Sequence, residues 1–369
     1  MAQASGTHQK ALAVLLAWTV AACAAAPGAA TGVAAPDAAA ADAAPSQDAA
    51  AAADQGAPAQ DAVAAADSSA DASVADTPSA NLLAPGPIEG ELFDGIELSG
   101  AYTLTGAVVV PAGAVVLVHA GSTFTSPFHG ITVEGTLVLN GTKAKPVILL
   151  GPASGPAWLG VKVSGKLLAS HFEVAYATTN VESTATGTLE LDHGFLHHAV
   201  KFNLLSRGKS ELSRLLIEKA RAAAKDTFNL GVLGGSTTLE DSILRDTPNE
   251  CILAEGKCTL VARYNLLNSG HCGIHFNGTA QADVSHNEFK GNLYGLMLFG
   301  LQAGSITGNN FFDSAKLEIL SDSNTQPKPV VATGNYWGDK KKFYLDGAKI
   351  DSSNALAQPA TDVGPREEK

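Results

Sequence analysis

The stretches LEDSIL (239–244), ARYNLL (262–267), VSHNEF (284–289) and ITGNNF (306–311) are four copies of one frame. In each, an apolar residue is followed three positions later by Ser or Asn, and two positions after that by another apolar residue. The central Ser242, Asn265, Asn287 and Asn309 stand 23, 22 and 22 residues apart. Eight or nine residues further on, a second apolar run closes on Gly: CILAEG (251–256), GIHFNG (273–278) and GLMLFG (295–300). A period of this length marks a unit that cannot bury its own apolar face and stacks on its neighbours. The units are too short for two helices and are punctuated by Gly, Asn and Asp, so each reads as one coil of strands.

Stacked coils put residue 265 over 242, 287 over 265 and 309 over 287, with adjacent strands about 4.8 Å apart and joined backbone to backbone. Ser242, Asn265, Asn287, Asn309 and Asn335 then form a structural ladder of hydrogen-bonded amides, and Asn also tolerates the left-handed backbone of a tight corner. Extended backward, the column takes in His171, Gly194 and Leu215. Asn292 lies off the column and is expected to be exposed. The interval before Ser242 holds Glu211–Lys225, rich in Leu, Ala, Arg, Glu and Lys, which favours an enlarged corner with one or two helical turns.

Upstream, the chain between Tyr102 and Gly160 alternates and turns repeatedly, with Gly, Pro or Asn at each corner. The phrases VVVPAGAV (108–115), ITVEGTL (131–137), AKPVI (144–148) and AWLGV (157–161) resemble the opening coils of right-handed parallel β-helix proteins of the pectin-lyase-like superfamily, and NYWG (335–338) is similar to the Asn-x-Trp-Gly that often closes such repeats. The resemblance covers roughly residues 90–345. It implies an all-β, single-stranded right-handed parallel β-helix, of about 9–10 coils, and the composition upstream of it reads as a disordered linker.

The N-terminus carries Lys10, an apolar run over Ala11–Ala22 and then Cys23. That run is too short to span a membrane and has the layout of a secretory signal. The small residues before Cys23 resemble a bacterial lipobox, which implies cleavage before Cys23 and lipidation of its thiol, with ordinary signal cleavage as the alternative. Ala24 follows, which by the same resemblance favours the outer membrane, on the cell-surface or periplasmic side. From Ala24 to about Pro85 there is no aromatic and no basic residue, and eight aspartates supply most of the net charge of −12. Little there can be buried, and like charges with scattered Pro keep such a segment extended as a tether. The acidity excludes nucleic acid as a partner, since phosphates need a basic face.

The expected organisation is a signal peptide over 1–22, a tether over 23–86, the β-helix over 87–345 and a C-terminal tail over 346–369. The tail, including Lys340-Lys341-Lys342 just before it, is expected to cover the last coil, whose open edge is otherwise unpaired. A monomer is expected.

Residues with possible chemistry are few. In an exported protein a Cys251–Cys272 bridge is geometrically reasonable, with Cys251–Cys258 as the alternative. His271, Cys272 and His275 are zinc-ligand types. Residues 271 and 275 lie about 13 Å apart in an extended strand, however, and no fourth ligand is evident, so no metal and no cofactor is expected. His193, His197 and His198 are expected at the surface. Stacking of coils brings Glu240 and Asp241 beside Arg263 and Tyr264, and next to His286. This is the candidate ligand-binding patch, with a cross-coil ion pair as the plainer reading. Arg214, Lys219, Arg221 and Lys225 form a second charged face that can meet an acidic polysaccharide or stay solvated. Ser269-Gly270-His271-Cys272 resembles the Gly-His-Gly of polygalacturonases, but the third position departs and that family's Asn-Thr-Asp and Asp-Asp elements are absent, so no catalytic residue is assigned. The expectation is an exported, lipid-anchored structural or carbohydrate-binding module, facing a polysaccharide or other cell-envelope polymer. The alternative is a polysaccharide lyase or glycoside hydrolase with a divergent active site.

Overall fold

The computed structural model describes residues 81–221, 226–338 and 343–366. The signal, Cys23 and nearly all of the Ala/Asp/Pro-rich segment lie outside the described residues, as do Lys225 and Lys340–Lys342. The described chain is all-β: thirty strands wind into a parallel solenoid of about 12 turns, without a helix among the described residues.

Three parallel ladders run the length of the coil. Ladder A stacks Leu82–Leu83, Glu97–Leu98, Val115–His119, Thr136–Asn140, the first halves of Lys166–Ala175 and Thr188–His197, Lys209–Ser213, Ser236–Glu240, Thr259–Arg263, the second halves of Cys272–Ser285 and Tyr294–Thr307, then Val330–Val331 and Ile350–Asp351. Ladder B follows one corner later in each turn, through Leu216–Glu218, Ile243–Arg245, Leu266–Asn268, Glu288–Lys290 and Asn310–Phe312 in the regular region. Ladder C comes next, through Thr179–Ser183, Phe202–Ser206, Phe228–Val232, Glu250–Gly256, the first halves of Cys272–Ser285 and Tyr294–Thr307, and Leu317–Ser321.

Alternation decides what each strand buries. Leu239, Ala262, Val284 and Ile306 point inward from ladder A, Leu244, Leu267, Phe289 and Phe311 from ladder B, and Ile252, Ile274, Leu296 and Ile319 from ladder C, and all are fully buried. Each such Leu, Ile or Phe is worth about 1.5–3 kcal/mol relative to exposure. Near the C-terminal end the ladder B column becomes an aromatic stack, Phe289 on Phe311 at 4.4 Å and Phe311 on Trp337 at 4.5 Å. Opposite it stand Gly273 and Gly295, where an added Cβ would meet Phe289 at 2.5 Å and Phe311 at 2.9 Å.

The Asn ladder is present and continuous. Asn265, Asn287 and Asn309 each donate their amide to Oδ1 of the next member (Asn287, Asn309 and Asn335) at 2.9, 3.0 and 3.0 Å, and those oxygens also take the backbone N–H of the residue below. The backbone N–H of Ser242 joins the end of the series by donating to Asn265. The left-handed residue at this corner is not the Asn, however, but the one before it. His171, His193, Arg214, Asp241, Tyr264 and His286 have φ between 49° and 57°, and Gly308 and Gly334 continue the column. The strand register therefore puts Phe172, rather than His171, in the Asn column beside Gly194.

Four further expectations are corrected. About 12 turns replace 9–10, because the terminal coils use strands of only two residues, Leu82–Leu83, Glu97–Leu98 and Ile350–Asp351, too short to register in an apolar pattern. Glu211–Glu218 is not helical but lies in strands Lys209–Ser213 and Leu216–Glu218, since Leu212, Leu215 and Ile217 are buried on the neighbouring coils and that packing outweighs local propensity. Asn292 is fully buried rather than exposed, accepting from Gly270 N–H and donating to Leu267 O, each at 2.9 Å. Cys251, Cys258 and Cys272 are free buried thiols, and the sulfurs of Cys251 and Cys272 turn to different carbonyls, Leu244 O and Ile274 O.

Candidate functional site

The corner between ladders A and B turns in a single left-handed residue, so its side chains project outward in a column: His171, His193, Arg214, Asp241, Tyr264 and His286. Beside it runs the last outward column of ladder A, in which Ser170, Asp192, Ser213, Glu240, Arg263 and Ser285 are in register. The candidate residues Glu240, Asp241, Arg263, Tyr264 and His286 are thus brought together on three consecutive coils. The Tyr264 and His286 rings stack at 5.0 Å.

Their charges are distributed differently from the expected cross-coil pair. Arg263 turns up the coil to Asp283 at 2.7 Å. Asp241 is taken by Arg366, 125 residues away in sequence, whose Nε meets Oδ1 at 2.7 Å and whose second nitrogen meets Oδ2 at 2.6 Å. The same guanidinium lies 3.9 Å from the centre of the Tyr264 ring and 3.7 Å from Glu240. Burial by itself would raise the Asp241 pKa; the hydrogen bonds from Arg366 outweigh it and hold the carboxyl below its ordinary value.

Further down the same face a groove of about 470 Å³ opens over the outward side of ladder A, lined by Glu190, Asp192, Lys209, Glu211, Ser213, Thr238 and Glu240 among others. Lys166 pairs with Glu190 at 2.8 Å and Lys209 with Glu211 at 3.2 Å. Asp192 is held by Arg214 at 2.6 Å, by the Ser213 hydroxyl at 2.6 Å and by His193 at 2.8 Å. Burial pushes this carboxyl up, and those three hydrogen bonds bring it below the ordinary range. His193 in turn stacks on His171 at 4.4 Å.

Two histidine clusters lie on other faces. His197 is buried rather than at the surface, hydrogen-bonded to Glu173 at 3.0 Å and to the His198 ring at 2.6 Å. Desolvation first, then the neighbouring His197, Lys219 and Arg221 charges, lower the His198 pKa. At the start of ladder C, Glu250 is buried with His275 at 3.3 Å and His271 at 3.6 Å. Burial would raise this acid, but the two histidines pull it down to about 2. The second charged face is committed as well: Lys219 and Arg245 hold the buried Glu218 at 2.8 and 2.6 Å, and Arg221 donates to Ala153 O at 3.0 Å and lies over Tyr176. Among the described residues no three His, Cys, Asp or Glu converge as a metal site.

The carboxyl groups of Asp192, Glu218, Asp241 and Glu250 are all held below their ordinary values by the hydrogen bonds they accept, against burial, which would raise them. Sequence reading missed Glu190, Asp192, Glu211 and Ser213, which become visible once the coil register is carried upstream through Phe172. It also missed Arg366, which lies beyond the repeats and has no periodic signal. No curated protein and no solved structure matches the chain. Residues 230–342, the stretch that contains the Asn ladder, match the family model for the right handed beta helix region.

Proposed function

We propose that the protein is an exported, lipid-anchored β-helix that acts without catalysis, holding a neutral carbohydrate polymer along the outer face of ladder A. The observation that carries this reading is the groove spanning three consecutive coils, lined by Glu190 and Asp192, then Lys209, Glu211 and Ser213, then Thr238 and Glu240. Its rungs repeat at about 4.8 Å, close to the rise of one sugar residue in an extended glycan. Carboxylates that accept from vicinal hydroxyls, spaced at that repeat, suit a repetitive polyol. Four carboxylates against one lysine in this lining disfavour an acidic polymer.

Retention of the protein on immobilised neutral and acidic polysaccharides, together with chain-length analysis of the polymer, tests the reading. Retention on a neutral polymer without shortening is expected, and Glu190→Gln with Glu211→Gln should weaken it at least tenfold. Shortened chains would replace the proposal with an enzyme, and absence of retention on every polymer would remove it. For the anchor, Cys23→Ser should release the protein from membranes, because the acyl chains supply the hydrophobic hold. Unchanged membrane fractionation would overturn that part alone.

A further inference from the structure

After the last ladder strand, Ile350–Asp351, the chain turns back along the outside of the solenoid. Leu356 N–H donates to Asn335 O at 2.9 Å, and Ala360 exchanges two hydrogen bonds with the Asn310 side chain at 2.8 and 2.9 Å. Gly364 N–H then donates to His286 O at 2.9 Å, and Arg366 reaches Asp241. The strap descends the corner one discrete polar contact at a time. Residues 353–359 are exposed, Leu356 among them at 37%, while Ala360 and Val363 are half-buried and Gly364 is buried. The fifteen residue-to-residue steps from Asp351 to Arg366 can span about 50 Å extended, against roughly 24 Å for the five coil steps from Asp351 back to the Glu240 rung. The strap thus has length to spare, is held at Leu356, Ala360 and Gly364, and ends on the Arg366 contact.

That contact has the form of a binding pocket. Both Asp241 oxygens face the edge of the guanidinium, the Tyr264 ring lies 3.9 Å from its carbon, Glu240 adds a second negative charge at 3.7 Å, and Asp241 also takes the backbone N–H of Arg366 at 3.1 Å. On the two adjacent rungs, Arg263 is turned to Asp283 and Arg214 to Asp192. A planar cation that stacks and forks at once satisfies all of these groups, whereas an ammonium, a point charge without a planar fork, cannot. We propose that Glu240, Asp241 and Tyr264 form a guanidinium-binding pocket, filled in cis by Arg366, and that an arginine-bearing peptide is the ligand it takes when the strap is withdrawn. The pocket lies at the Asp241 corner and shares Glu240 with the groove, while Asp241 and Tyr264, on which its test turns, lie outside the groove lining.

The test uses the full chain carrying Arg366→Ala and, as probe, a fluorescent peptide of residues 358–366 read by anisotropy. A strap tethered this closely presents its arginine at an effective concentration on the order of 1 mM. The variant should therefore bind the peptide at least tenfold more tightly than the wild-type protein does, and at least tenfold more tightly than it binds the same peptide with Ala in place of Arg. A Lys version of the peptide should bind more weakly than the Arg version. Adding Asp241→Asn to the variant should abolish binding. If Arg366→Ala fails to fold, Arg366→Lys keeps the strap's charge without its fork, and the peptide should then compete at lower concentration than against wild type. Equal affinity for the Arg and Ala peptides, or no gain on removing Arg366, overturns the pocket. Polysaccharide retention is read separately, so either proposal can fail alone.

Discussion

Asn265 donates its side-chain amide to Oδ1 of Asn287 across 2.9 Å, and the same oxygen accepts the Asn265 backbone N–H at 2.9 Å. Asn287 passes its own amide to Asn309 and to Ala262 O. Asn287→Leu therefore strands two donors on Asn265 and acceptors on both sides, where one unsatisfied buried group costs about 1–3 kcal/mol. A loss of at least about 2 kcal/mol in urea unfolding is expected. Asn140→Leu, at an exposed strand end, is the proper comparison and should change stability by less than about 0.5 kcal/mol. Equal tolerance at the two sites would remove the ladder as a stabilising element.

The ladder was legible because one amide must sit at the same place in every coil. The left-handed column beside it was not, because its members, from His171 to His286, share only a backbone angle and no side-chain chemistry. That is why the column slipped by one residue at His171. The number of turns was underestimated for a related reason: a two-residue strand such as Glu97–Leu98 has no period to detect. At the candidate patch the proximity of Glu240, Asp241, Arg263 and Tyr264 followed from the repeat. Which charge pairs with which did not, because it depends on Arg366, whose distance from Asp241 in sequence is unrelated to the coil length.

A second Asn ladder, Asn180 to Asn203 to Asn229, runs at the corner between ladders B and C, with both amide links at 3.0 Å. The register puts Cys251 next in that column, and its sulfur turns to Asn268 O just as the Asn229 amide turns to Arg245 O. Cys251→Asn should therefore extend the ladder and be at least as stable as Cys251→Ala. Burial raises the pKa of Cys251 and Cys272, so in a Cys23→Ser background neither should react with a thiol reagent until the protein unfolds. Rapid native-state labelling of either, or a mass two hydrogens short from a Cys251–Cys272 bridge, would contradict this placement.

The same column loses its side chain at Gly273, because the Phe289 ring fills the space. An added Cβ would lie 2.5 Å from that ring and 2.7 Å from Gly295 O, so Gly273→Ala should cost about 1–3 kcal/mol through overpacking. Phe289→Leu costs stability alone, yet combined with Gly273→Ala it should recover part of the loss. A double-mutant cycle with a coupling of at least about 0.5 kcal/mol is the expected result, and strict additivity would mean that the ring does not oppose the Cβ.

Glu250 ties the acid stability of the coil to one buried carboxylate. Its ordinary value is 4.5, and in the folded protein burial, which would raise it, is outweighed by His271 and His275, which bring it to about 2. A depressed carboxyl stabilises the fold where it is ionised in both states, above about pH 5, and that contribution is lost as pH falls through the interval toward 2. The shift corresponds to about 3 kcal/mol at neutral pH. Glu250→Gln keeps the size and removes the charge. Below pH 2 the two proteins should approach equal stability, since the wild-type group is then protonated both folded and unfolded. At pH 7 the variant should be less stable by about 1–3 kcal/mol, and its melting temperature should fall less steeply than wild type between pH 5 and 3. Asp192 and Asp241, also held below their ordinary values, remain in the variant, so part of the acid slope persists. Thermal melts at pH 7, 5, 4 and 3 measure the difference, and parallel curves for the two proteins would show that the histidines do not hold Glu250 ionised.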